Sequence, residues 1–243
     1  MSFLTLHCTG LLIEDDHTMT DSVPQLLSRL FQAHPWHGVD PGDIANGLAA
    51  YLEILPTDTV KLELDKPSGI LRIDRPQRFS NVCPMPYGFV PQTFCAEKIA
   101  ALCMNAVGRV GIVGDGDPLD ICVLTERTLT RADLLVRCVP IGGLRMIDKN
   151  EADDKIIAVL EGDVAFGHFR DISQCPAGLI DRLRHYFLTY KQLPGGEPRT
   201  VEITDVYGAQ QAVAVIEASR LDYAAHYGDP AQRWAALLAL LRG

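Results

Sequence analysis

Long apolar runs are missing from this chain. No stretch approaches the roughly 18 residues that a membrane span requires, so no membrane partner is expected. Positive charge is scarce, with 22 Lys and Arg against 31 Asp and Glu, a net charge of −9 and a pI near 5.2. That balance excludes a broad basic surface for nucleic acid. Aromatics, at 7%, are too few for a base-stacking groove. The seven cysteines form no C-x-x-C pair, which argues against a zinc site or a disulfide framework and points to a reducing cytoplasm. The histidines show no ligand spacing, and His34 and His37 beside Trp36 read as packing or turn residues. The N-terminus lacks both a basic start and a small-residue cleavage site, so it is a poor signal peptide. Residues 1–18 read either as an upstream extension before a start at Met19 or as an ordinary N-terminal strand. Repeats and low-complexity linkers are absent, so residues 19–243 read as a single domain.

What is present is an ordinary globular balance, 47% hydrophobic and 22% charged. Ser22 with Gln25 makes a capping box ahead of a helical face of Val23, Leu27, Leu30 and Phe31. The turn-rich "HPWHGVDPGD" ends that helix. The period then shortens to that of strands: "AAYLEILP", "TVKLELDKPSG", "ILRIDRP", "YGFVPQTF", "LDICVLTE", "LLVRCVPIGGLRMID" and "KIIAVL". In "VKLELD", Val60, Leu62 and Leu64 alternate with Lys61, Glu63 and Asp65, so one face carries charge. Short strands without alternating helices predict a β-rich α+β chain built on a small antiparallel barrel. Helices follow: one after Pro176, an Ala-rich one around residues 208–224, and one from Asp229–Pro230 that carries Trp234, Leu237, Leu238 and Leu241.

The chemistry concentrates in "GDGDPLDICVL", where Asp115, Asp117 and Asp120 crowd into six residues before an apolar strand. A second acidic turn carries Asp148, Asp153, Asp154 and Lys155. A lone "DGD" is usually a solvated turn, but here Pro118 and Leu119 fix its shape and it runs into a buried strand. Carboxylates without His or Cys select hard cations. An EF-hand is excluded, because Leu119 takes its fifth position and Asp120 the sixth, which requires glycine. Magnesium takes one or two carboxylates per ion, so several Asp in one cleft imply more than one ion and two-metal phosphoryl chemistry. A phosphate substrate also needs side-chain cations, and Lys61, Arg75 and Lys191 each sit at a strand or helix end.

"DGDPLD" resembles the D-x-D-P-[apolar]-D signature of the family I soluble inorganic pyrophosphatases. "VKLELDKPSGILRIDRP" resembles that family's K-x-E-x-D-K-x-[ST]-G…[VI]-D-R block, "CPMPYGFVPQTF" its P-x-x-Y-G-[YF] block, "GLRMIDKNEADDKIIAV" its acidic M-x-D…D-x-K block, and "FLTYK" its Y-K helix end. The collinear blocks span residues 50–192. The resemblance implies a five-stranded OB-like barrel with peripheral helices, and hydrolysis of pyrophosphate to two phosphates by a multi-Mg2+ mechanism with a metal-activated water as nucleophile. It implies several Mg2+ per site, with Mn2+ or Zn2+ as substitutes, and a cytoplasmic homo-oligomer, dimeric or hexameric. Carried over, Asp115, Asp120 and Asp153 hold the activating ions, and Asp148 and Glu53 those arriving with substrate. Asp117 acts as general base or lowers the pKa of the attacking water. Lys61, Arg75, Tyr87, Tyr190 and Lys191 bind phosphate oxygens, and Glu63, Asp74 and Lys155 tune the site.

The physical logic agrees. Carboxylates alone repel a polyanion, cations among them reverse the sign of the cleft, and an Arg fork can hold two oxygens of a phosphate. The sequence also departs from the pattern. Cys83 stands where the family has a tyrosine. The segment after Lys191 offers Glu197 or Arg199 rather than a further lysine. Residues 95–113 are an insertion, and the helices from 207 onward lie outside the resemblance. Rival readings are weaker. An inactive relative would have lost ligands that are all present, and a glycosidase pair does not account for five or six acids beside Lys61, Arg75 and Lys191.

Overall fold

The computed structural model describes residues 32–243 except Ala45, Arg78, Phe79, Leu193, Pro194, Glu197, Pro198 and Gly243. The alternatives at Met1 and Met19, the capping-box helix from Ser22 and the Glu197 position lie outside the described residues. Ala33–Gly243 is one compact unit.

The elements of the larger unit run β1 (Gly42–Asp43), β2 (Gly47–Ile54), β3 (Val60–Asp65), β4 (Ile70–Pro76), β5 (Tyr87–Phe89), α1 (Glu97–Val107), β6 (Val113–Gly114), β7 (Asp120–Leu124), β8 (Leu134–Asp148), β9 (Glu151–Ala152), β10 (Lys155–Leu160), α2 (Ala177–Thr189), β11 (Val201–Gly208), α3 (Ala209–Tyr227) and α4 (Pro230–Arg242). Strands β2, β5, β7, β10 and β8 form a circuit that closes where β8 pairs back onto β2, giving the expected five-stranded OB-like barrel. Closure depends on the length of β8, which reaches β2 through Leu134–Cys138, β10 through Cys138–Leu144 and β11 through Gly142–Asp148. One seam corrects the antiparallel expectation: β7 and β10 run parallel. A parallel pair needs a crossover, and the chain supplies it by leaving β7, traversing β8 and β9, and returning as β10.

Two glycines let backbones meet inside this barrel. A Cβ at Gly88 would lie 1.8 Å from the Tyr51 carbonyl oxygen, so β5 can approach β2 only with glycine there. At Gly142 a Cβ would lie 2.4 Å from the Tyr207 carbonyl oxygen, where β11 crosses β8. Every residue of β2 is buried, and Leu48, Leu52, Ile121, Val123, Ile156 and Ala158 fill the interior. Helix α2 seals the other face through Leu183, Tyr186 and Phe187.

Three local expectations change. "YGFVPQTF" is strand only over Tyr87–Phe89, because Thr93 Oγ donates back to the Val90 carbonyl at 2.6 Å and Gln92 turns with φ 51°. Strand β11 arises in a segment that carried no strand reading. The 95–113 stretch contains α1, whose first turn is capped from afar: the buried Asp222 carboxylate of α3 accepts from the backbone N–H groups of Ala96, Lys98 and Ile99 at 3.0–3.1 Å. In α4, Leu237 is exposed; the side chains of Trp234, Leu238 and Leu241 lie outside the described residues. Among the described residues, no helix is long and apolar enough to cross a membrane.

Candidate active site

Strands β3 and β4 pair with each other as a hairpin in their own two-stranded sheet, and a cavity of about 520 Å3 opens between this hairpin and the barrel. Every residue to which the resemblance gave a role lines it: Glu53, Lys61, Glu63, Asp74, Arg75, Tyr87, Asp115, Asp117, Asp120, Asp148, Asp153, Lys155, Tyr190 and Lys191. The alternation in "VKLELD" explains the hairpin's part, since Lys61 and Glu63 share a face that turns to the cavity. Lys61 Nζ donates to Glu63 and to Asp74, each at 3.0 Å. Opposition of Lys61 to burial is overcome by these two carboxylates, which raise its pKa above the ordinary lysine value. Arg75 stands across from Lys61 in the hairpin register. Its Nη1 is buried and, among the described residues, meets no hydrogen-bond acceptor, while its guanidinium lies 5.9 Å from the centre of the Tyr190 ring.

The barrel wall is acidic. Parallel pairing sets Lys155 beside Asp120, and the almost fully buried Lys155 ammonium donates to both Asp120 and Asp153. It also lies 5.9 Å from the Tyr87 ring centre and 5.7 Å from that of Phe187. Burial alone would discharge Lys155, but Asp120 and Asp153 outweigh it and hold the pKa well above the ordinary lysine value. The carboxylates have no such surplus. Burial first, then repulsion from Asp153 and Asp120, pushes Asp115 well above the usual carboxylate range, and burial likewise raises Asp153. Glu53, buried within β2, is pushed up to about 8 chiefly by burial, although its Oε1 accepts from Leu64 N at 2.7 Å. Burial opposes the charge on Asp148 as well. There, hydrogen bonds from Lys191 Nζ at 2.6 Å and Thr200 Oγ at 2.7 Å win, and its pKa falls.

Carboxyl groups pushed up by burial and by one another mark a place where added positive charge is stabilising. The all-oxygen donor set matches a hard divalent ion. Among the described residues, no three acids or histidines converge as a ready-made metal cage, and Lys155 stands between Asp120 and Asp153. This suits an ion that takes one or two carboxylates and keeps its waters.

A family model described as inorganic pyrophosphatase matches residues 50–224. The chain belongs to the inorganic pyrophosphatase family. An inorganic pyrophosphatase of Chlamydia trachomatis is 50% identical over 196 residues, covering 79% of this chain and 94% of that protein. A soluble inorganic pyrophosphatase of Chlamydomonas reinhardtii is 37% identical over 196 residues, covering 80% and 91%. The crystal structure of the Thermus thermophilus inorganic pyrophosphatase superimposes with a TM-score of 0.65 at 28% identity, covering 79% of this chain and 99% of that one. The family match runs past residue 192, through β11 and most of α3. Asp222 supplies a reason for including α3, because it ties that helix to α1. The helices from 207 onward therefore do not all lie outside the family.

Among the further residues that line the cavity are Lys66, Trp36 and Glu151, to which the sequence reading gave no role there. Lys66 was visible in the K-x-E-x-D-K block, but a lysine in a Pro-Ser-Gly turn reads as solvated. Trp36 is distant in sequence and carries no motif. Cys83 is buried and its thiol donates to the Met85 carbonyl at 3.2 Å, so it packs behind the cavity beside Tyr186. His34 and His37 are turn and packing residues: His34 Nδ1 accepts from Trp36 N at 3.2 Å, and His37 Nδ1 lies 2.8 Å from the Tyr223 hydroxyl.

Proposed function

We propose that this chain hydrolyses inorganic pyrophosphate to two phosphates, with several divalent ions, Mg2+ first, held in the cavity between hairpin and barrel. One observation carries the reading: Asp115, Asp120 and Asp153 share a cavity of about 520 Å3 with Lys61 and Arg75 of the hairpin and with Lys191. The printed names of the relatives support it. Asp115, Asp120 and Asp153 would hold the activating ions, and Asp148 and Glu53 those that accompany substrate. Bound there, the ions would offset the carboxylate charge and activate a water.

The residues do the remainder. Lys61 and Arg75 receive the phosphate oxygens on the hairpin side, where the orphaned Arg75 Nη1 gains the acceptor it lacks. Lys191 and the hydroxyls of Tyr87 and Tyr190 bind from the barrel side. Burial and nearby carboxylates hold Tyr87 well above the ordinary tyrosine pKa, so it stays a neutral donor. Asp117, at the mouth of the cavity, takes the proton as general base or orients the attacking water. Lys155 keeps Asp120 and Asp153 apart in charge, and Glu63 and Asp74 hold Lys61 in place. The acidic surface and the reducing-compartment cysteine pattern support a cytoplasmic enzyme, and the family resemblance supports a homo-oligomer. The test is phosphate release from pyrophosphate with Mg2+: full activity with the ion, loss with a chelator and restoration on re-addition support the reading. Absence of phosphate release at any divalent ion concentration overturns it.

A further inference from the structure

Lys66 heads the β3–β4 turn, and it reaches across the cavity mouth to the acidic loop. Its ammonium donates to Asp117 Oδ1 and lies 3.4 Å from the Gly116 carbonyl oxygen. Three further contacts hold it there. The ammonium lies 6.0 Å from the centre of the Trp36 ring, in reach of a cation–π attraction. Its backbone carbonyl lies 2.9 Å from His34 Nε2. Gly69 closes the same turn against His34, where a Cβ would lie 2.8 Å from the imidazole.

The platform beneath is tied to the acidic loop through Thr93. Trp36 is buried and its indole N–H donates to the Thr93 carbonyl at 2.8 Å. Thr93 Oγ in turn accepts from Leu119 N at 2.9 Å, so Thr93 joins Trp36 to the "DGDPLD" segment. Lys66 is half-exposed, as is Asp117, yet these contacts fix its direction. We propose that Lys66 is the positioning residue for Asp117: it fixes the carboxylate at the cavity mouth and closes the tip of the hairpin onto the acidic loop, with Trp36 as its platform. This rests on the pyrophosphatase reading, because only there does Asp117 act on the attacking water. Lys66 acts through Asp117 rather than on substrate, since its ammonium is turned to the loop. Lys66 lines the cavity together with the hairpin cations Lys61 and Arg75, but its ammonium is engaged by Asp117 and Gly116.

The experiment is steady-state kinetics on pyrophosphate with Mg2+ for wild type, K66M, K66R, D117N and K66M/D117N. K66M keeps the stem against Trp36 and removes only the charge; melting temperatures check that each variant is folded. The expected result is a drop in kcat of about tenfold or more for K66M, with KM within about threefold. K66R should recover most of the loss, and the double variant should be no worse than D117N by more than about twofold, because two residues acting as one unit are not additive. A K66M whose KM rises while kcat holds would make Lys66 a substrate contact and overturn the proposal. Unchanged kinetics, or full additivity with D117N, would also overturn it. These failures occur in an active enzyme; a wild type that releases no phosphate would instead overturn the reading beneath it, and the proposal with it.

Discussion

Asp153 and Asp154 are neighbours in sequence and lie on opposite faces of the barrel wall. Asp153 faces the cavity with Asp120 and Lys155, while Asp154 faces the interior. There its Oδ2 accepts from the Tyr207 hydroxyl at 2.9 Å and lies 3.7 Å from the fully buried Arg145. Burial pushes the Asp154 carboxyl up to about 6, with Arg145 and Tyr207 pulling the other way. On the core face the two charges pair with each other, although Arg145 Nε and Asp154 Oδ1 meet no hydrogen-bond partner among the described residues, and the guanidinium lies 5.0 Å from the Tyr207 ring centre. On the cavity face Lys155 serves two carboxylates at once and Asp115 is left repelled. The core face uses its charges to hold the barrel, and the cavity face keeps an excess of negative charge that a cation would offset. Sites of this kind cost stability in the absence of their ligand.

The sharpest way to break this contrast is to exchange damage between the faces. D154A leaves Arg145 buried without its carboxylate and should cost about 3–5 kcal/mol of stability, read by denaturant melts. Loss of turnover with unchanged stability would remove the distinction. D120N should do the reverse. It removes a charge from the cation side, so kcat/KM should fall about a hundredfold, or about 2.7 kcal/mol, while the melting midpoint in metal-free buffer falls less than in D154A, because Asp153 still pairs the buried Lys155. Near-normal rates would exclude Asp120 as a ligand.

A smaller effect tests the opposing hairpin. R75K keeps the charge and loses the planar fork, and should raise KM or lower kcat by about tenfold. Unchanged kinetics would return Arg75 to the solvated surface.

The smallest effect is in pH. Glu53 and Asp115 have raised pKa values in the native state, so the folded chain binds protons that the unfolded chain releases. Their contribution to stability is complete below the ordinary carboxylate range and is lost as pH rises through about 8 for Glu53 and about 9 for Asp115. Metal-free E53Q should therefore lose less stability than wild type between pH 5 and pH 8, a difference of a few degrees in melting temperature visible by calorimetry. Mg2+ should stabilise wild type more at pH 8 than at pH 5. Parallel curves for E53Q and wild type would place Glu53 outside the electrostatics of the cavity.

Much of this was legible in the chain, for specific reasons. "DGDPLD" is readable because local crowding of like charge demands an explanation within a few residues. "VKLELD" is readable because strand alternation assigns Lys61 and Glu63 to one face. The barrel itself follows from short strands and tight turns. Other features depend on partners distant in sequence. Strand β11, "VEITDVYG", has only Val201 and Tyr207 buried and becomes a strand because β8 offers it an edge. The parallel seam between β7 and β10 depends on crossover topology, which periodicity does not encode. Lys66 looks like a turn lysine until Trp36 and Asp117 are brought beneath it. Asp222 looks like one more helix-surface acid until it caps α1.

The claim beneath all of these is that cations among the cavity carboxylates turn a space that repels anions into one that captures them. The direct measurement is calorimetric titration of a non-hydrolysable pyrophosphate analogue into the wild-type protein, with and without Mg2+. The account requires binding with the ion, none after chelation, and weakened binding in D120N with the ion present. Equal affinity in the two buffers would contradict it.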